Sequence, residues 1–418
     1  MLRSRRQFLA VAGLVPAAVS AQARPNILVF MTDQESALLP GPAKTPARDR
    51  LRAQSTRFNF AFCNTPQCSA ARAALLTGLY PHVAGVRTNV DGSSVGNELP
   101  KDLPNVGSVF SKAGYAAGYF GKWHLSKRAA GPMDYGFGHA PKEGSDEAAA
   151  EGAASWITKQ KGPWLAWVSV LNPHDIYHIE RDLTSVQIRP GVKAPHSDLK
   201  NLKGKPAEQQ QYVDKDQGKI TSNYSEQDWL RYRSYYLELL EKADSCLAKV
   251  LAKVDMANTI IVYTTDHGDA LGEHGLPFKG PFQYEELARI PLWISAPGRM
   301  KAGDRDDFAM QIDLAPTLAD LASVEWPTRR DGVSLLKPTG RGEVYLEYFA
   351  KQKWANPFQT VRGRRYKFNR YESGSRELYD LEKDPHELVN LAGSSALRKV
   401  EAELNGKLDQ WWKPQAHN

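Results

Sequence analysis

Four runs of apolar residues in the first two thirds of the chain each end in polar side chains. They cover residues 26–31, 115–120, 164–171 and 259–263. Continuous apolar runs of this length are typical of parallel strands that helices cover on both faces. Because ligands bind beyond the carboxyl ends of such strands, the polar residues that follow the four runs are candidates for one shared site.

Helical periodicity separates these runs, over residues 69–77, 103–113, 146–159 and 226–254. The alternation predicts an α/β fold with a doubly wound, mostly parallel sheet flanked by helices. Residues 180–227 are polar and lack clear periodicity, so we expect a long excursion near the mouth of the site.

The pattern changes after about residue 340. Residues 342–349, 359–371 and 377–388 read as short alternating strands, and residues 396–411 as an amphipathic helix. The sequence thus predicts a small C-terminal antiparallel sheet plus helix, with a boundary between Leu336 and Glu343. We expect a catalytic α/β domain over residues 24–340 and a C-terminal α+β subdomain over residues 341–418.

Residues 1–23 have the pattern of a bacterial export signal. Basic residues precede an apolar run from Phe8, residues 4–9 (SRRQFL) resemble the twin-arginine type, and small residues end the segment at Ala23. The alternative is a membrane anchor, but Pro16 interrupts the run, which is shorter than the roughly 20 residues of a spanning helix. We therefore expect cleavage near Ala23, export through the twin-arginine machinery to the periplasm or beyond, and no stable membrane span.

Composition narrows the partners. The 418 residues carry a formal net charge of +7, but three of the arginines lie in the expected signal. The weakly positive net charge that remains predicts no nucleic-acid partner. It is compatible with anionic substrates but does not by itself indicate them. The three cysteines, an odd number, exclude a complete disulfide framework, although Cys63–Cys68 and Cys63–Cys246 bridges remain open.

The strand ends supply candidate metal ligands. Asp33 and Gln34 follow the first apolar run, and Asp266 and His267 follow the fourth. Carboxylate and amide oxygens with one imidazole are plausible ligands of a divalent cation, which would offset the cost of clustering two carboxylates. Further donors follow the other runs or come soon after Asp266, and together they suggest a trap for a phosphate- or sulfate-like group: Lys122, His124, His174 and Lys279.

Cys68 begins a strong helix-forming stretch, "CSAARAALL", with Arg72 one turn further on the same face. A thiolate at a helix N-terminus would be acidic and reactive. It would nevertheless be a poor ligand for a hard metal, so the chemistry favours a position 68 that presents oxygen.

The motif at residues 68–72 matches Cys-x-(Pro or Ala)-x-Arg, the signature of type I, formylglycine-dependent sulfatases of the alkaline phosphatase superfamily. The segments "ALLTGLYPH", "GYAAGYFGKWHL", "TTDHGDALGEHG", "FKGPFQYEELARIPL", "DLAPTLADLA" and "LYDLEKDPHELVNLA" also resemble that family, in the family's order. The resemblance implies that a formylglycine-generating enzyme oxidises Cys68 to formylglycine. One hydroxyl of the hydrated aldehyde would attack sulfur and displace the alcohol, and the other would expel sulfate.

The resemblance also implies residue roles. One divalent metal ion, Ca²⁺ by default with Mg²⁺ or Mn²⁺ as alternatives, would be held by four residues: Asp33, Gln34, Asp266 and His267. Arg72 and Lys122 would hold the formylglycine hydrate and flank the sulfate. His124 would be the base of the elimination step. Lys279 and His174 would steady the sulfate oxygens or protonate the leaving group.

Two positions depart from the family's commonest pattern. Gln34 stands where a second acidic residue is usual, and His267 stands where Asn is usual. These variants occur in some sulfatases and in related phosphonate and phosphate ester hydrolases. We therefore expect a sulfatase acting on sulfated carbohydrates or aryl sulfates, with a phosphonate monoester or phosphodiester hydrolase as the alternative. A non-catalytic anion- or glycan-binding relative is a third possibility.

Overall fold

The computed structural model of the chain describes residues 24–90, 97–126, 130–181, 183–351 and 354–412. The expected export signal of residues 1–23 lies outside these ranges. Among the helices in these ranges, none combines the length and apolar character needed to cross a membrane.

The apolar runs form the centre of a seven-stranded sheet within the described residues. Its strands are β1 (Asn26–Asp33), β2 (Thr56–Phe62), β3 (Ala116–Gly121), β4 (Trp164–Pro173), β5 (Thr259–Thr265), β6 (Leu292–Ser295) and β7 (Gly303–Met310). Their order is β3-β4-β1-β5-β6-β2-β7. β6 is antiparallel to both neighbours and the other pairings are parallel, which confirms the mostly parallel sheet.

Helices cover both faces of this sheet. The described helices are α1 (Pro46–Ala53), α2 (Cys68–Thr77), α3 (Pro81–Ala84), α4 (Val106–Lys112), α5 (Asp146–Ile157), α6 (Ala207–Lys215), α7 (Glu226–Leu251), α8 (Glu285–Ala288), α9 (Leu314–Leu321) and α10 (Arg398–Trp412). Side chains alternate along β1: Val29 packs in a core with α2, α4 and α9, whereas Leu28 and Phe30 pack in a core with α1, α5 and α7. Both faces are therefore buried, as continuous apolar runs require.

Several elements were not predicted from the sequence. β2 and β7 were missed because neither is a continuous apolar run: half of β7 (GDRDDFAM) is polar, and β2 (TRFNFAF) alternates. The segment 180–227, in which no clear periodicity indicated an element, contains α6 and short 3₁₀ turns. Helix α6 has no long apolar stripe, and it is stabilised by Tyr212 and Val213, which pack against Phe282 and Leu202.

A second sheet forms the C-terminal part, as predicted. Its antiparallel strands β8 (Glu343–Lys351), β9 (Trp354–Gly363), β10 (Tyr366–Tyr371) and β11 (Arg376–Asp380) lie in the order β11-β10-β9-β8. Helix α10 packs on it through Leu404 and Leu408. The strand expected over residues 377–388 ends at Asp380, and turns follow. The division of the chain at residue 340 stays a prediction.

A buried charge network joins the second sheet to helix α8. It consists of Glu285 from α8, Arg362 and Lys367 from the second sheet, and Glu387 from the loop that follows. Arg362 Nη2 lies 2.9 Å from Glu285 Oε2, and Lys367 Nζ lies 2.7 Å from Glu387 Oε1 and 3.4 Å from Glu285 Oε1. A buried carboxylate is stable only with a charged or hydrogen-bonding partner, so loss of any of the four residues would leave a buried charge uncompensated and destabilise the fold.

Candidate active site

The two acidic strand ends meet because β1 and β5 are neighbours. Thr32 pairs with Thr265 in the parallel register, so Asp33 and Asp266 follow at the same edge of the sheet. The Gln34 backbone N–H donates to Asp266 Oδ1 at 3.1 Å. Both carboxyl groups are fully buried. The pairing of β1 with β5 is therefore the geometric basis for the shared site that we expected after the first and fourth apolar runs.

Cys68 is the first residue of α2, and its sulfur faces this pair of carboxylates. Cys68 Sγ lies 3.8 Å from Asp33 Oδ1, 3.4 Å from His267 Nε2 and 2.8 Å from Lys279 Nζ. Asp33, Cys68, Asp266 and His267 each offer one ligand atom, and these atoms all lie within 4.8 Å of one another. Position 68 thus lies among the residues that the sequence assigned to a metal.

Arg72 lies one helical turn after Cys68 and ties the two carboxylates together. Its Nη2 donates to Asp33 Oδ2 at 2.8 Å and its Nε to Asp266 Oδ2 at 3.1 Å. Nη1 donates to the Lys122 carbonyl and to Ser169 Oγ. Since the described contacts engage all three guanidinium nitrogens, Arg72 holds the carboxylates in place rather than facing the cavity.

The Gln34 amide is held in one orientation. Its Nε2 donates to Asp269 Oδ2 at 2.7 Å, and its Oε1 is buried without a hydrogen-bond partner among the described residues. A buried carbonyl oxygen without a donor is costly unless a cation or another ligand binds it. This orphaned oxygen at the edge of the carboxylate pair is what a hard cation requires.

The hydrogen-bond pattern assigns the tautomer of His267. Nδ1 lies 2.9 Å from the Gly268 carbonyl and so acts as donor, which leaves the Nε2 lone pair directed toward Cys68 and Lys279. A backbone carbonyl that orients the opposite ring nitrogen is common behind metal-binding histidines. Two carboxylates, an amide oxygen and this imidazole fit a divalent cation.

The carboxylates lie in a strongly positive environment. Burial acts to raise the pKa of Asp33, but the charges of Lys122, His174 and Arg72 outweigh it and hold that pKa well below the ordinary value. Lys122 Nζ lies 2.6 Å from Asp33 Oδ2. Burial and the neighbouring Asp33 charge raise the pKa of Asp266. The neighbouring positive charges thus stabilise the ionised form of the Asp33 carboxylate.

Cys68 is affected by the same charges. Burial and Asp33 act to raise the pKa of its thiol, yet Lys122 and Lys279 outweigh them and place it well below the ordinary value. In contrast, burial raises the pKa of Cys246 to about 12. All three cysteines are free, so the bridges that the sequence left open are not formed. Cys68 is therefore chemically distinct from Cys63 and Cys246.

The two other histidines that the sequence suggested for the site, His174 and His124, differ in their surroundings. His174 directly follows β4, and its ring centre lies 4.8 Å from that of Tyr177; burial and the Lys122 charge lower the pKa of His174 to about 3. The described residues offer the His124 imidazole no hydrogen bond with the cluster around Cys68, and its Nδ1 is buried without a partner. The His124 carbonyl instead accepts a hydrogen bond from Ser69 Oγ at 2.6 Å.

A cavity of about 900 Å³ opens beside the cluster, large enough for a small-molecule ligand. Lys122, Trp123, His124 and Leu171 are among the residues that line it. The Lys122 side chain is 15% exposed, whereas Asp33 and Arg72 are at most 1% exposed. Of these three side chains, that of Lys122 is therefore the one that faces the cavity.

Sequence reasoning missed Asp269, Tyr232 and Ser169, which support the cluster. Asp269 orients Gln34 and accepts from Tyr232 Oη at 3.0 Å. Asp269 lies three residues after Asp266, so the string "DHGD" carried a usable signal. Ser169 lies inside an apolar run, where nothing in the sequence distinguishes it.

Comparison with known proteins agrees with this geometry. A family model described as Sulfatase matches residues 25–324, which is more than half of the chain. The chain belongs to the sulfatase family. A second model, N-sulphoglucosamine sulphohydrolase, C-terminal, matches residues 272–413. The family that the sequence motifs indicated is confirmed, and this sulfatase is a sulfuric ester hydrolase.

Three relatives show what this sulfatase is similar to. The Delta 4,5-hexuronate-2-O-sulfatase of Bacteroides thetaiotaomicron is 29% identical over 95% of this chain and 91% of that protein. The solved structure of BT1596, a 2-O GAG sulfatase, has a TM-score of 0.79 and 26% identity over 93% of this chain and 92% of that chain. The phosphonate monoester hydrolase of Agrobacterium radiobacter shares the fold, with a TM-score of 0.78 and 21% identity over 93% of this chain and 95% of that chain.

Proposed function

We propose that this sulfatase hydrolyses sulfate esters of carbohydrates through formylglycine formed from Cys68. The observation that carries the proposal is the position of Cys68 Sγ, which lies among two carboxylates, an imidazole and two lysines. A catalytic aldehyde at this position would explain why a cysteine lies in a cluster of hard ligands. The substrate class follows from the hexuronate sulfatase relative.

The cluster would hold one divalent cation, with four residues as ligands: Asp33, Gln34, Asp266 and His267. Ca²⁺ suits the oxygen-rich set, and Mg²⁺ or Mn²⁺ are the alternatives that His267 keeps open. A bound cation would supply positive charge for an anionic substrate and would acidify a hydroxyl at position 68.

The lysines would bind the sulfate group. Lys122 Nζ and Lys279 Nζ lie 3.6 and 2.8 Å from Cys68 Sγ, so they flank any group that replaces the sulfur. Ammonium groups in this water-poor site would stabilise charge that develops on the sulfate oxygens. We assign Arg72 a positioning role, because it is occupied by Asp33 and Asp266.

Formylglycine, once formed and hydrated, would supply two hydroxyls, one to attack sulfur and one to release sulfate by elimination. The departing alcohol needs a proton, which we assign to Lys279, because the lowered pKa of His174 leaves that imidazole neutral near pH 7 and suited instead to hydrogen-bond a sulfate oxygen. The elimination needs a base, which we assign to His124 at the wall of the cavity. Both assignments rest on position beside Cys68 and Lys122.

The first test is Cys68→Ala, with Cys246→Ala as the matched control at another buried, free cysteine. We expect Cys68→Ala to lose turnover of an aryl sulfate while the circular dichroism spectrum and melting temperature stay close to those of the wild type. Cys246→Ala should keep its activity. Normal turnover by Cys68→Ala would overturn the site.

A second candidate function is hydrolysis of phosphonate monoesters. Gln34 and His267 favour it, because both residues depart from the commonest sulfatase pattern, and the Agrobacterium enzyme has the same fold. Steady-state kinetics on an aryl sulfate and the matching aryl phosphonate monoester will rank the two functions. A higher kcat/KM for the phosphonate would replace our first choice.

We also propose that the protein leaves the cytoplasm folded, through the twin-arginine machinery, and that Cys68 is modified before export. Replacing Arg5 and Arg6 by lysine should then trap a modified protein in the cytoplasm. Cell fractionation with peptide mass analysis measures both properties. Export of an unmodified protein would contradict this order of events.

A further inference from the structure

A second cavity, of about 600 Å³, lies between the loop after α3 and the C-terminal sheet. It shares no lining residue with the cavity at Lys122. Arg87 forms one side, Tyr348 and Phe349 from β8 form another, and Arg370 and Trp412 contribute to the rest.

Both walls of this cavity are attached to the residues that flank Cys68. On one side of Cys68, Gln67 Nε2 donates to the carbonyl of Ala350, which follows Phe349. On the other side, the Ser69 N–H donates to Asn89 Oδ1 at 3.1 Å. Asn89 is two residues from Arg87, a span of at most about 7 Å of chain. These two hydrogen bonds link both walls of the cavity, through Ala350 and Asn89, to the N-terminus of α2, where Cys68 lies.

Arg87 is the unusual residue of this cavity. Its guanidinium carbon lies 5.1 Å from the centre of the Phe349 ring, and its side chain is exposed. It forms no hydrogen bond or ion pair with any residue in the described ranges. Arg370, in contrast, is bound by Asp409, Asn405 and Gln359. Arg87 can thus offer its planar set of donors to a ligand.

Aromatic rings complete the lining. The Trp412 ring lies 5.9 Å from the Phe349 ring and 4.5 Å from the His82 ring. Aromatic rings such as those of Phe349 and Trp412 can pack against the apolar face of a sugar. An arginine can bind a carboxylate or a sulfate group through paired hydrogen bonds. The volume lies within the range of small-ligand sites.

We propose that this cavity is a subsite for a second sugar residue that carries an anionic group, adjacent to the sulfated residue that reacts at Cys68. Arg87 binds the anionic group, and Phe349 and Trp412 contact the sugar ring. The inference rests on the proposed carbohydrate sulfatase function and extends it to the neighbouring residue of the substrate.

Arg87→Gln tests the subsite, with Arg330→Gln as the matched control, because Arg330 also lies over an aromatic ring, 5.8 Å from the centre of Trp326. The substrates are an aryl sulfate and three sulfated disaccharides, whose second residue is a uronic acid, a second sulfated sugar or a neutral hexose. For at least one anionic disaccharide, Arg87→Gln should lower kcat/KM by about tenfold or more, the size of a lost charged hydrogen bond. The loss should appear mainly in KM, and turnover of the aryl sulfate and the neutral disaccharide should be unchanged.

The same preparations separate failure of the subsite from failure of the function. If the wild type hydrolyses the sulfates but Arg87→Gln keeps full kcat/KM on both anionic disaccharides, the subsite is wrong and the sulfatase function stands. An equal loss on all four substrates also contradicts the subsite. If the wild type hydrolyses none of the sulfates, the proposed function fails and the subsite with it. As a binding readout, an unsulfated uronate disaccharide should inhibit aryl sulfate turnover less in Arg87→Gln than in the wild type.

Discussion

The substitution Asp269→Asn examines how this sulfatase orients a metal ligand. In the native protein, Asp269 Oδ1 accepts from the Leu271 backbone N–H at 2.7 Å, and Oδ2 accepts from Gln34 Nε2 at 2.7 Å. An asparagine keeps the shape of the side chain. Its oxygen must face the Leu271 N–H, which cannot turn away, so its NH₂ group takes the position that faces Gln34.

Two NH₂ groups cannot share that hydrogen bond, so the Gln34 amide should rotate. The Gln34 oxygen would then accept from the new NH₂ group at position 269, and the Gln34 NH₂ group would face the metal position in place of that oxygen. Loss of such an orienting partner typically lowers metal affinity by about 10- to 100-fold, or roughly 1.4–2.7 kcal/mol. The fold should survive, because the substituted group is isosteric and remains hydrogen-bonded.

Isothermal titration of the metal-free protein with Ca²⁺ measures the affinity directly. The control is Tyr232→Phe, which removes another hydrogen bond to Asp269 and leaves the Gln34 contact intact. We expect a clearly weaker affinity in Asp269→Asn and a smaller change in Tyr232→Phe. A second readout is the melting temperature, which should rise less with added Ca²⁺ in Asp269→Asn. An unchanged affinity in folded Asp269→Asn would refute the ligand role of Gln34.

Two further predictions concern stability. Lys367→Met removes the lysine that Glu285 and Glu387 share in the buried charge network, and it should lower the free energy of unfolding by about 3–5 kcal/mol. The control is Lys407→Met, at a partly exposed ion pair, which should lower it by less than about 1 kcal/mol. Urea unfolding of both variants measures the difference, and similar costs would contradict the role of the network. Gly268→Ala would place a Cβ 2.0 Å from the Glu286 carbonyl oxygen in α8, so we expect the free energy of unfolding to fall by at least about 1–3 kcal/mol. The control is Gly406→Ala in α10, where a Cβ meets open space, and this change should be neutral or stabilising. A melting temperature of Gly268→Ala equal to that of the wild type would show that the close approach is not rigid.

The sequence predicted the parts of the site that periodicity determines. Apolar runs identified β1 and β5 as buried strands, and their neighbouring positions bring Asp33 and Asp266 together. Helical spacing placed Arg72 on the same face as Cys68. These inferences needed only the repeat of each element and the rule that parallel strands end at one edge.

Other features depend on contacts between distant segments, which periodicity does not reveal. The resemblance implied that Arg72 holds the formylglycine hydrate and flanks the sulfate, and only the contacts of Arg72 with Asp33 and Asp266 led us to propose a positioning role instead. The orientation of Gln34 depends on Asp269, 235 positions away. Strand β7 was missed because half of it is polar and lies at the edge of the sheet.

The most direct test of the account is mass analysis of the peptide that contains residue 68, from active protein made in a host that has a formylglycine-generating enzyme. The account predicts an aldehyde in place of the thiol, which a hydrazine reagent captures in parallel with loss of sulfatase activity. Fully active protein in which residue 68 is entirely a thiol would contradict it.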